Sequence, residues 1–280
     1  MHRSWVAGVL AAVLCVGGIA FAEGIMRPPY EAIDFYFVSV AGLPGEIRAV
    51  SVRCGCGLPT VVEEQIAYTS GGRIGSFCFH PSDPKLIFVR PASGTVWVVH
   101  FAPFGPLPEW ALYEHPTPIG DLVFVCDEAG EHPENPRAEW HLYFSEAHGK
   151  EGDGLIYRLG WDGTSTPVYE VRLSDVGGYW DGNFGFSPDG TLYVSSGDRL
   201  PGRLFRLGEQ GFEEVYRDNE DRIAGFVFLD PYVLLYANLD GKVYRVDLRS
   251  GTRTLVYLSR GRFRIADVVL PPDEWGPGGR

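Results

Sequence analysis

The stretch GNFGFSPDGTLYVSSGD, Gly182 to Asp198, decides the fold. It reads as a short apolar strand, a tight turn at Ser187-Pro188-Asp189-Gly190 and a second strand over Leu192 to Ser196. Proline presets the backbone of a turn, and Asp and Gly suit the positions that follow it. Weaker copies of the opening run occur elsewhere: IGSFCFHPSD from Ile74, IGDLVFVCDE from Ile119, IAGFVFLDP from Ile223 and IADVVLPPDE from Ile265. Second strands follow most copies (KLIFVR, HLYFSE, TLYVSS, VLLYAN). Third strands open on a glycine (GTVWVVHF, GLIYRLGW, GRLFRLGE, GKVYRVDL), and fourth strands are EWALYE, PVYEVRL, EEVYRD and TLVYLS.

Alternating polar and apolar residues between turn signals mark half-buried strands. Four antiparallel strands per unit, repeated, make a β-propeller blade. Aligned on their apolar runs, the five first strands place Ser76, Asp121, Asn183, Gly225 and Asp267 at one position, at intervals of 45, 62, 42 and 42. A propeller blade takes ~40–50 residues. The long interval holds the polar insertion CDEAGEHPENPRAEW between the first two strands of the third blade.

The two ends complete the count. DFYFVSVAGLPGEIRAVSV and TVVEEQIA supply three strands without a first, and RIADVVLPP supplies a first strand alone. The expected fold is all-β, a five-bladed β-propeller with the C-terminal strand completing the N-terminal blade. A six-bladed ring with one degenerate blade is the alternative. Closure of this kind removes free strand edges.

Residues 1–22 stand apart. A basic start with Arg3, an apolar run from Trp5 and the triplet Ala20-Phe21-Ala22 read as a secretory signal peptide. Residues 23–280 then form one propeller domain, secreted or periplasmic and expected to be monomeric. A formal net charge of −12 argues against nucleic acid and against anionic membrane surfaces as partners. Cys54, Cys56, Cys78 and Cys126 remain after cleavage and allow three disulfide pairings. Cys78 lies in an apolar strand pattern and reads equally well as a small buried residue.

First strands line a propeller's channel, so Ser76, Asp121, Asn183, Gly225 and Asp267 converge at one mouth. Asp121, Asn183, Asp267 and Ser76 form a hard-oxygen set suited to a divalent cation such as Ca2+, with waters completing the shell. A solvated polar mouth without metal is the competing reading. His141, Glu146 and His148, beside the third blade's loops, are a secondary candidate for metal or acid–base chemistry, against a plain solvated acidic loop.

Asp121–Phe124 (DLVF), His141–Leu159 (HLYFSEAHGKEGDGLIYRL), Asn183–Asp198 and Gly202–Leu207 (GRLFRL) resemble blades of the senescence-marker-protein/gluconolactonase, strictosidine-synthase-like and NHL propellers. The resemblance implies a central divalent metal, often calcium, held by Glu, Asn and Asp, and hydrolysis of lactones. Asp121, Asn183 and Asp267 fall in the corresponding region, and the column has no Glu. The quoted stretch also resembles soluble quinoprotein glucose dehydrogenases. Their base histidine would fall near Tyr179, so no quinone cofactor is expected. The expected function is an exported binding module for a small molecule or protein partner, with a central cation as an option. The alternative is a metal-dependent lactone or ester hydrolase.

Overall fold

The computed structural model describes residues 32–42, 44–54, 60–81, 83–102, 105–127, 139–146, 153–160, 162–197, 199–259 and 263–271. The expected leader (residues 1–22), Cys56 and His148 lie outside these, as does most of the third-blade insertion. Among the described residues there are 21 strands and no helix.

The strands form five sheets. Blade one contains β1 (Ala32–Val40), β2 (Gly45–Cys54) and β3 (Thr60–Ser70), and is completed by β21 (Ile265–Val269), which pairs antiparallel with β1. Blade two is β4 (Phe77–Phe79), β5 (Lys85–Val89) and β6 (Thr95–Ala102). Its outer edge is the two-residue β7 (Gly105–Pro106) and β8 (Trp110–Glu114). Blade three runs β9 (Ile119–Asp127), β10 (Glu139–Glu146), β11 (Gly154–Leu159) and β12 (Ser165–Val171). Blade four is β13 (Phe184–Phe186), β14 (Leu192–Ser195), β15 (Gly202–Gly208) and β16 (Gly211–Asp218). Blade five is β17 (Gly225–Asp230), β18 (Val233–Ala237), β19 (Lys242–Asp247) and β20 (Thr252–Leu258). The five-bladed ring closed by the C-terminal strand is therefore the architecture. The innermost strands β21, β4, β9, β13 and β17 touch in that cyclic order around the axis.

The core lies between blades, and strand periodicity explains why. Successive side chains of a strand face opposite sides of its sheet. In β5, Leu86 and Phe88 pack toward blade one, whereas Ile87 and Val89 pack toward blade three. In β18, Leu234 and Tyr236 face blade four, and Leu235 and Ala237 face blade one. Second strands are thus apolar on both faces, as buried strands must be. Five apolar clusters result, one in each gap between neighbouring blades.

The glycine that opens each third strand has a steric reason. A Cβ on Gly94 would stand 2.1 Å from the His115 carbonyl oxygen, and one on Gly202 would stand 2.5 Å from that of Asp221. Gly45, Gly154 and Gly241 occupy the same place in their blades and are equally crowded. The obstacle is mostly the backbone of the loop leading to the next blade, so the loops from fourth to first strands rest directly on third-strand starts. Gly202→Ala is expected to destabilise the protein by about 1–3 kcal/mol, lowering Tm by several degrees for a domain of this size. Gly71→Ala meets nothing within 4 Å and is expected to stay within about 0.5 kcal/mol of wild type, urea titration of both variants being the check.

Candidate functional site at the channel mouth

Ser76, Asp121, Asn183, Gly225 and Asp267 occupy one level of the ring, at or near the starts of the innermost strands. Three of them come together. Asp267 belongs to blade one, Ser76 to blade two and Asp121 to blade three, and all three are buried. The Ser76 hydroxyl donates to Asp121 Oδ1 and stands near the Asp267 carboxyl.

The same two carboxylates hold backbone. Asp121 Oδ1 accepts the Leu122 N–H at 2.8 Å, and its Oδ2 accepts the Phe184 N–H of blade four at 3.1 Å. Asp267 Oδ1 accepts the Val268 N–H at 2.7 Å, and its Oδ2 accepts the Phe77 N–H of blade two at 3.3 Å. Ser76 Oγ takes the Leu122 N–H of blade three at 3.3 Å. Each group therefore accepts from a neighbouring blade, and blades one to four are laced in sequence at the mouth. Gly225 completes the level: its missing Cβ leaves room for Asp267, whose Oδ1 would lie 2.4 Å from such an atom.

Asn183 stands at this level, but its amide turns away. Its Nδ2 donates to Asp181 Oδ1 at 3.0 Å, and its carbonyl accepts the Trp180 indole N–H at 2.9 Å. The Asp121, Asp267 and Ser76 convergence is present, and the Asn183 side-chain amide is tied to Asp181 rather than to the trio. Calcium takes six to eight oxygens. All four carboxylate oxygens here already accept N–H or O–H donors, a set built for anion stabilisation by protein donors. A cation at the trio would share these oxygens with the N–H groups already bonded to them.

Electrostatics follows from burial. Removal from water pushes the Asp121 carboxyl up to about 6, although the Ser76 hydroxyl and the Phe184 and Leu122 N–H groups pull the other way. Burial and then the facing Asp121 charge push Asp267 well above the usual carboxylate range. Two buried carboxyls this close disfavour double ionisation. Cys78 packs beside them as a buried free thiol, pushed up by burial and then by both carboxylates.

The secondary candidate comes apart. His141 and Glu146 lie toward opposite ends of β10, five residues and about 16 Å along the strand, and His148 is outside the described residues. Glu146 instead meets His115, which sequence reading passed over. Glu146 Oε1 lies 3.1 Å from His115 Nε2 and accepts from the Thr117 hydroxyl at 2.9 Å and the Tyr157 hydroxyl at 3.1 Å. His115 Nδ1 is 3.1 Å from the Tyr113 hydroxyl. The cluster seals the gap between blades two and three.

Its counterparts seal other gaps. Tyr68 and Ser70 of blade one donate to Glu109 of blade two at 2.5 and 2.7 Å, and Arg90 pairs with the same carboxylate. Asp218 of blade four accepts Tyr236 and Arg253 of blade five. Burial alone would raise the Asp218 carboxyl, but the Tyr236 hydroxyl, the Glu220 and Asp221 N–H groups and Arg253 hold it below its ordinary value. A signal for these clusters was present: Tyr68, Tyr113, Tyr169, Tyr216 and Tyr257 recur near the fourth-strand ends. Each reaches the following blade, at Glu109, Ser165, Phe186, Tyr236 and Glu64 respectively.

No protein-family model matches the chain, and no curated protein does. Similarity appears among solved structures. A chain of a nidogen/laminin complex aligns over 84% of this chain and 97% of its own length, with 12% identity and a TM-score of 0.50. Virginiamycin B lyase from Staphylococcus aureus aligns over 81% of this chain and 70% of its own, with 16% identity and a TM-score of 0.39. Raptor from Chaetomium thermophilum aligns over 71% of this chain and 18% of its own, with 15% identity and a TM-score of 0.40. At these identities the likeness to the nidogen/laminin chain bears on fold alone, and agrees with the propeller.

The buried carboxyl pair gives a pH signature. A carboxyl raised in the folded state makes the native protein bind more protons than the unfolded chain, so its stabilising contribution is present below about pH 4 and lost as pH rises through about 6 and beyond. Between pH 5 and 8, wild type is expected to lose more stability than Asp267→Asn. Urea midpoints at each pH measure it, and parallel curves would contradict the shared burial.

Proposed function

We propose that this protein is an exported β-propeller binding module that receives its partner on the channel-mouth face. The carrying observation is that the chemically capable groups there are committed to holding blades together. The four oxygens of Asp121 and Asp267 accept backbone or hydroxyl hydrogens, and Glu146 is taken by His115, Thr117 and Tyr157. Neither carboxyl pair nor Glu–His pair is left free to act as base or nucleophile, which speaks for recognition rather than turnover. The loops from fourth to first strands and from second to third strands meet on this face, as binding loops on a rigid scaffold do. Export rests on the sequence of residues 1–22. Either a small ligand or a protein partner suits such a face.

Metal-dependent lactone or ester hydrolysis is the second reading, favoured by the convergence of Asp121, Asp267 and Ser76. A panel of lactones and esters, assayed with Ca2+, Zn2+ and chelator, separates the two. The binding reading expects no metal-dependent turnover, and no metal-dependent rise in Tm that Asp121→Asn abolishes. A folded-state metal site would raise Tm as the ion is added, and such a rise with turnover would overturn the proposal.

A further inference from the structure

The loops that enter the ring carry a repeat of their own. Arg73-Ile74-Gly75 precedes Ser76, Arg222-Ile223-Ala224 precedes Gly225, and Arg264-Ile265-Ala266 precedes Asp267. The three isoleucines are buried and pin the loops, so each arginine departs from the same register point above the channel. Arg73 and Arg264 are exposed and Arg222 is half-buried. Among the described residues, none of these three side chains forms an ion pair, a hydrogen bond or a ring contact.

The acids that precede Arg222 are already spoken for. Glu220 pairs with Arg253 at 2.7 Å, and Asp221 with Arg253 at 3.1 Å and Lys242 at 3.3 Å. Blades five, one and two are consecutive in the ring, so the arginines form an arc over one side of the mouth. The equivalent positions of blades three and four are Pro118 and the buried Trp180. Three arginines at equivalent entry positions of consecutive blades thus stay unpaired in a chain of net charge −12. The arc keeps its cations open at the face where loops converge. A guanidinium's planar fork matches the oxygens of phosphate, sulfate and carboxylate.

We propose that Arg73, Arg222 and Arg264 form a binding site for a small ligand bearing two or more oxyanion groups. This rests on the binding reading above and names the ligand's chemistry. The negative charge of the whole chain disfavours long polyanions such as nucleic acid, whereas a compact multivalent anion meets the arc alone.

The full-length protein should be titrated by calorimetry and thermal shift with pyrophosphate and, separately, citrate, which distinguish phosphate from carboxylate as the preferred group. Binding of at least one is expected. Each of Arg73→Gln, Arg222→Gln and Arg264→Gln should weaken it about tenfold, and the triple variant should lose it, with ligand-free Tm unchanged in all four. Arg245→Gln removes an exposed arginine from β19 of blade five and should leave binding intact. Absence of binding to both anions, binding that survives in the triple variant, or equal loss in Arg245→Gln would overturn the site. A neutral ligand that protects loops 70–76 and 218–225 from hydrogen exchange, with or without the arginines, would overturn the site while leaving the binding-module reading standing.

Discussion

The pairing of β21 with β1 is the constraint on which the rest of the molecule depends. It joins the two ends of the described chain in one sheet, with Ser39 opposite Asp267. Without it blade one lacks its innermost strand, and the ring of five inner strands is open between β17 and β4. Asp267 is delivered by this strand. Its carboxylate reaches Phe77 of blade two, and its neighbour across Ser76 is Asp121 of blade three. One strand at the end of the sequence thereby completes a sheet, closes a ring and places half of the buried carboxyl pair.

Polar bonds decide how the blades stand relative to each other, because apolar packing between sheets is not directional. Second-strand serines contribute as well: Ser39 Oγ donates to the Gly75 carbonyl at 3.0 Å, Ser195 Oγ to the Ile223 carbonyl at 3.1 Å, and Ser145 Oγ to Gly182. Each reaches from one blade to the loop entering the next. Unsatisfied, these buried groups would cost stability. Satisfied, they fix the register of the mouth and so the shape of its rim. Rigidity at the mouth and openness at the rim are two results of the same loops.

The fold was legible because its devices are local. Ser187 to Gly190 announces a turn by itself, and the Ser187 hydroxyl bonds Asp189 while the Gly190 N–H reaches the Ser187 carbonyl as such a turn requires. The third-strand glycines were visible as a repeat, although their cause, a loop carbonyl or, at Gly154, the Trp180 ring over the Cα, was not. Aligning repeats also brought Ser76, Asp121 and Asp267 to one level. Asn183 was beyond that method: alignment gives a residue's level, while its side chain chose Asp181, two residues away. His115 and Glu146 are 31 residues apart on different blades, and their meeting depends on blade docking, which no local pattern encodes. The Tyr repeat of the fourth strands was in plain view but reads as ordinary edge-strand aromatic content until its partners are known.

The central claim is that Asp121 and Asp267 act together as a proton-sharing clasp between blades. Carbon-13 NMR titration of the two carboxyl carbons, assigned through Asp121→Asn and Asp267→Asn, tests it directly. The account predicts coupled titration, with a proton retained by the pair above the ordinary carboxylate range and no change on adding Ca2+. Two independent titrations near the ordinary aspartate value of 3.8, or carboxyl shifts that follow Ca2+, would contradict it.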